Sequence, residues 1–242
     1  MTGELVGRVP ERALAVYAHP DDPDVACGGT LAHWVESGAD VHVIICTTGD
    51  KGTTDPSVDP LALARLRRDE LSRSASVLGA AEPHLLGYPD GEIVNDLGLR
   101  HELVGWIRRL RPSVVLCPDP TAVIFGEDYF NHRDHRVVGM AMLDAVSPAA
   151  GLPLYFPDAG PPHRVEVAYL SGTLEPTVWV DIGHCLDRKI EAVRCHGSQL
   201  AGDPEGLLRA VVMRAEEEGG QAGVRFAEGF RRIRFTSSEE GA

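Results

Sequence analysis

Residues 13–34 read ALAVYAHPDDPDVACGGTLAHW. Six small or apolar residues end at a histidine, a proline and two adjacent aspartates, and paired glycines then lead into a segment of helical character. A buried run, a turn and a helix in that order form the first half of a βαβ unit. The turn is unusual, because neighbouring carboxylates repel each other and the proline stiffens the backbone that carries them. A dinucleotide site at this position would require G-x-G-x-x-G, whose glycines let a pyrophosphate approach the helix N-terminus. Carboxylates in their place would repel a phosphate, so the turn calls for a partner that wants fixed anionic oxygens.

The same alternation recurs outward from this stretch. VHVIICTT (41–48), PHLLGY (83–88) and SVVLCP (113–118) read as further strands. Segments 27–38, 61–79 and 98–111 read as helices, with Leu63, Leu66, Leu71, Ala75 and Leu78 approximating one apolar face. A helix at about 132–146 follows the fourth strand. The predicted fold class is α/β: a Rossmann-like, doubly wound, mostly parallel sheet flanked by helices, with a less regular C-terminal part. In that part VEVAYLSG and PTVWVDI read as two more strands, a hairpin being the simplest arrangement, and CLDRKIEAVRCHGSQ and about 204–218 read as helices. The tail SSEEGA is expected to be disordered. With 242 residues, 43% of them hydrophobic, and no composition break that marks a linker, residues 1–242 are expected to form a single catalytic domain.

Composition excludes several classes. A formal charge of −13 without a Lys/Arg stripe argues against nucleic acid or an anionic membrane as partner. No run of eighteen apolar residues is present and the N-terminus lacks a signal-peptide pattern, so a cytoplasmic protein is expected. Five cysteines without CxxC spacing argue against both a disulfide framework and a cysteine-rich zinc site, and Cys46 and Cys117 read as core residues. The partner is expected to be a small molecule, and the residues leave homo-oligomerisation open.

In a doubly wound sheet, ligands bind outside the carboxyl ends of the strands. His19, Asp21 and Asp22 follow the first strand at that edge, and NHRDHRVVG brings His132, Asp134 and His135 to it after the fourth. Residues three apart on a helix share a face, so His132 and His135 can meet in one site. Alone, HPDD reads equally as a rigid capping turn, and HxxH as surface histidines. Together, on one sheet edge, they supply the two histidines and a carboxylate of a catalytic zinc site, with groups left over for acid–base work. A two-histidine, one-carboxylate set also serves non-haem iron oxygenases, against which the βα alternation weighs.

These motifs, in this order, resemble the LmbE-like or PIG-L family of zinc-dependent N-deacetylases. AHPDD…CGGTLA, TTGDKG, RRDELSRSASVLGA, LLGYPDG, NHRDHR, DRKIEAVRCHGSQ and FAEGFRR all match family segments, over about residues 12–235. The resemblance implies that Zn2+ is held by His19, Asp22 and His135, that Asp21 is the general base, and that His132, supported by Asp134, stabilises the oxyanion or assists the leaving amine. It associates Arg67 and Asp90 with sugar binding. The implied reaction removes an acetyl group from an N-acetylglucosamine-type sugar or conjugate. The alternatives are an amidase of a thiol or other small-molecule conjugate, and a protein that binds metal and sugar without turnover, against which Asp21 argues. One departure stands out: the family usually has Glu after HPDD, where this chain has Pro23 and then Asp24, which puts the missing carboxylate's task in question. A proline in the first helical turn is itself well tolerated.

Of the other histidines, His196 is a candidate to approach the site, whereas His33, His42, His84, His101, His163 and His184 have no ligand spacing and are expected on the surface or in packing. Gly28 and Gly29 are expected to permit close helix–sheet approach. Loops 119–131 and 148–163, carrying Phe125, Tyr129, Phe130, Tyr155 and Phe156, are expected to shape the substrate pocket.

Overall fold

The computed structural model describes residues 3–127, 129–200 and 203–235; the SSEEGA tail lies outside them. In chain order the elements begin β1 (Glu4–Leu5), β2 (Arg12–Tyr17), α1 (Asp22–Glu36), β3 (Asp40–Thr47), α2 (Pro60–Leu78), β4 (His84–Tyr88), α3 (Leu97–Leu110) and β5 (Val114–Pro118). They continue with the short strands β6 (Ile124–Phe125) and β7 (Tyr129–Phe130), then α4 (Arg133–Asp144), β8 (Val167–Ser171), β9 (Val178–Asp181), α5 (Leu186–Arg194), α6 (Pro204–Ala222) and β10 (Ala227–Arg234).

Eight strands form one sheet in the order β1-β9-β10-β8-β5-β2-β3-β4. All neighbours are parallel except β10, which runs antiparallel to both β8 and β9. Alternation along β2 divides the core: Ala13, Ala15 and Tyr17 pack with Leu31, Trp34 and Leu71 on one face, and Leu14 and Val16 with Leu103, Val138 and Met142 on the other. The first and fourth predicted strands, β2 and β5, are direct neighbours, as the doubly wound reading requires.

The predicted hairpin is not formed. The last strand enters between β8 and β9 and pairs with both, Arg231 opposite Leu170 and Phe230 opposite Val178. Its eight residues are long enough to serve one neighbour with each half.

Two close approaches fix the helices that reach the sheet edge. A Cβ on Gly139 would lie 2.2 Å from the carbonyl oxygen of Pro118, so only glycine lets α4 rest against the end of β5. In α1 the backbone leaves helical geometry at Cys27 (φ −148°, ψ 18°), and the freed Gly29 and Thr30 N–H groups donate to the Glu228 carboxylate at 3.0 and 2.7 Å. Lys189 joins them, pairing with Glu228 and donating to the Val25 carbonyl at 2.8 Å. This buried group acts as an N-cap in mid-helix. Gly29 meets Ile182 at this point, where a Cβ would lie 2.7 Å away, in keeping with the close packing expected of it.

Candidate active site

His19 leaves the end of β2, and Asp22 opens α1 three residues later, with its Oδ2 accepting the His19 N–H at 2.8 Å. Pro23 sits in the first turn of α1. His132 caps α4 and stands outside it (φ −55°, ψ 139°), and His135 lies on the first turn. Its ring still comes within 5.5 Å of the His132 ring, and His132 within 4.8 Å of His19, centre to centre.

Three donors converge. His19 Nδ1 lies 3.2 Å from His135 Nε2 and 3.4 Å from Asp22 Oδ2, and His135 Nε2 lies 3.1 Å from Asp22 Oδ1. The opposite nitrogen of each ring is committed elsewhere: His19 Nε2 to Asp90 Oδ1 at 3.1 Å, and His135 Nδ1 to Asn131 Oδ1 at 3.0 Å. Asn131 is in turn held by its amide donating to the Ala122 carbonyl. Outer partners of this kind set which imidazole nitrogen is free to bind a metal. Burial disfavours a charged His19 ring, yet the carboxylates of Asp22, Asp134 and Asp90 outweigh it and push its pKa up to about 12. The position therefore attracts positive charge.

Asp21 takes a different partner, its Oδ1 accepting from Arg67 Nη2 at 2.7 Å, and its charge also acts on His135. Arg67 also donates to the Gly49 carbonyl and is only 2% exposed, so it braces Asp21 and offers little surface to a sugar. Asp90, likewise buried, spends Oδ1 on His19, its N–H donates to Asp50, and its carbonyl accepts from Lys51. Asp134 supports His132 through the backbone: its N–H donates to His132 Nδ1 at 3.2 Å, while its carboxylate accepts the Gly91 N–H and stands 3.7 Å from His19 Nε2. His196 does not reach the three donors. It pairs with buried Asp24 at 2.6 Å, and next to it Ser198 donates to Glu70, so the HGSQ segment braces α1 and α2.

Asp22 and His135 line a cleft together with Phe125, Tyr129, Tyr17 and Ser171. Loop 119–131 thus shapes the cleft as expected, but loop 148–163 does not. It wraps the buried Arg108 guanidinium, which donates to the carbonyls of Ala149, Ala150, Leu152, Tyr155, Phe156 and Gly160. His163 bonds the Pro112 carbonyl, ahead of β5 and therefore at the opposite edge of the sheet. The roles of Asn131 and Asp24 escaped the sequence reading; for Asn131 a signal existed, since it stands one helical turn before His135.

The family model described as GlcNAc-PI de-N-acetylase, PIG-L, matches residues 14–146. The chain belongs to this family. The PIG-L relatives include the diacetylchitobiose deacetylase of Thermococcus kodakarensis, 37% identical over 91% of this chain and 82% of that protein. A second is the 1D-myo-inositol 2-acetamido-2-deoxy-alpha-D-glucopyranoside deacetylase of Rhodococcus jostii, 31% identical over 93% of this chain and 97% of that one. Among solved structures, N,N'-diacetylchitobiose deacetylase from Pyrococcus horikoshii superposes with a TM-score of 0.86 at 31% identity, over 93% of this chain and 84% of that chain. As a PIG-L member the chain has the mixed α/β fold and stands among deacetylases, which are amide hydrolases. It holds candidate metal-binding groups around His19. Among the described residues no helix is long and apolar enough to cross a membrane.

Proposed function

We propose that this protein removes the acetyl group from an N-acetylglucosamine unit of a small sugar or sugar conjugate, using a zinc ion held by His19, Asp22 and His135. The observation that carries the reading is the convergence of His19 Nδ1, His135 Nε2 and the Asp22 carboxylate at 3.1–3.4 Å on the cleft side, each ring with its other nitrogen engaged. Two imidazoles and a carboxylate match zinc in ligand type. Asp90 and Asp134 also surround His19, on its Nε2 side, but both are buried and Asp134 is committed to Gly91, which leaves no room there for substrate. When bound, the ion would acidify a water and polarise the acetamide carbonyl.

The chain's own groups account for the rest of the reaction. Arg67 holds one oxygen of Asp21, leaving the other to take a proton from the attacking water and deliver it to the departing nitrogen. The water oxygen bonds the carbonyl carbon, the C–N bond breaks, and acetate and a free amine result. His132 accepts the Asp134 N–H at Nδ1, so Nε2 carries a proton to donate to the developing oxyanion. Phe125 and Tyr129, whose rings lie 5.8 Å apart, offer surfaces for a sugar face.

The test is acetate release and amine appearance after zinc reconstitution, on N,N'-diacetylchitobiose and on an inositol-linked N-acetylglucosamine, with chelated protein as control. Turnover of at least one, lost on chelation and restored by zinc, is expected. No acetate from either substrate with zinc bound would refute the reading.

A further inference from the structure

His33 and His184, which carry no ligand spacing in the sequence, meet in the structure. They stand at the end of α1 remote from Asp22, beside the start of α5. His33 Nδ1 lies 3.1 Å from His184 Nε2, that nitrogen lies 3.7 Å from Glu36 Oε2, and Cys185 Sγ lies 3.3 Å from the same oxygen. Zinc bonds of about 2.0–2.2 Å to nitrogen and oxygen and about 2.3 Å to sulfur put tetrahedral donors about 3.3–3.6 Å apart. Glu36, His184 and Cys185 offer donor atoms that all lie within 4.8 Å of one another, and His33 adjoins this group through His184.

We propose that His33, Glu36, His184 and Cys185 form a second metal site, separate from the cleft, that takes zinc or another borderline-soft divalent ion and staples the end of α1 to the start of α5. The donor set differs from the one at His19 by its sulfur, and thiolate with imidazole selects zinc-like ions over magnesium or calcium. Arg188 occupies Glu36 Oε1 at 2.8 Å and leaves Oε2 to the ion. The Arg188 charge opposes a cation, while the Asp181 carboxylate, whose field also acts on His33, favours one. Burial, with His184 adding to it, holds His33 below the usual histidine range, so its lone pair is available at neutral pH. Burial and the Glu36 hydrogen bond push the Cys185 thiol up to about 12, so it keeps its proton until the ion arrives. Binding then forms a metal–sulfur bond, breaks the S–H bond and releases one proton to solvent, with no change of oxidation state. The staple would strengthen the path from α5 to His196 and Ser198, which brace Asp24 and Glu70.

Cobalt(II) titration of the metal-free protein, followed by absorbance, tests this. A thiolate-to-cobalt charge-transfer band is expected in the wild type, absent in Cys185→Ser, and formed only at tenfold or higher cobalt in His184→Ala, whose side chain is half exposed. His135→Ala should keep the band, because the set at the cleft contains no sulfur. A wild-type protein without the band, or a band that survives Cys185→Ser, overturns the proposal. Neither result bears on deacetylation at the cleft.

Discussion

Asp21 and Asp22 are neighbours in the chain with different partners: Asp21 takes Arg67, and Asp22 takes His19 and His135. Their substitutions should separate accordingly. Asp21→Asn keeps an oxygen for Arg67 and removes the base, so metal content should stay at the wild-type level while the rate falls by about two to four orders of magnitude. Asp22→Asn should bind zinc more weakly, and excess zinc should restore part of its activity. Elemental analysis beside kcat at two zinc concentrations distinguishes them, and rescue of the Asp21 variant alone would mean the roles are exchanged. Local motifs disclosed both aspartates and His19, His132 and His135, because a turn or one helical turn brings each group together. Asn131 and the Asp24–His196 pair were harder to see. The last spans 172 positions, and no local pattern records a partner so distant.

Helix α4 delivers His132 and His135 only because Gly139 lets it touch the end of β5. Gly139→Ala places a methyl group against the Pro118 carbonyl and should cost about 1–3 kcal/mol while displacing both histidines. Gly105→Ala on α3 meets nothing within 4 Å and should be neutral or stabilise by about 0.5–1 kcal/mol. Urea unfolding with activity measured on the same samples checks the pair; equal behaviour of the two variants would show that α4 has room to spare. The helices and the longer parallel strands were legible because apolar period and length decide them, whereas the two-residue β1 is too short to leave a pattern. The loop at 148–163 was misassigned because length is a poor guide to place. Its aromatic residues suggested a sugar pocket, whereas its carbonyls encircle Arg108 at the far edge of the sheet. The final strand escaped for the opposite reason: AEGFRRIR is too charged to read as a buried element, although its first half lies in the core.

Across the whole molecule, Glu228 on that last strand holds the break in the first long helix, 199 and 198 positions from Gly29 and Thr30. Glu228→Ala would leave Lys189 buried without its partner and two helix N–H groups without an acceptor, at a cost of about 3–5 kcal/mol. Because the segment it secures begins with Asp21 and Asp22, kcat should fall as well. Denaturant midpoints and rates together test this, and an unchanged kcat would show that the start of α1 is positioned without the cap. The insertion of β10 between β8 and β9 also bears on biosynthesis. Every residue assigned to the chemistry has been translated by residue 135, yet the slot between β8 and β9 stays open until the strand ending at Arg234 arrives. Two unpaired strand edges are thereby exposed on the nascent chain, a template for association with other chains. A product stopped short of that strand is therefore a substrate for chaperones and proteases before it is ever an enzyme.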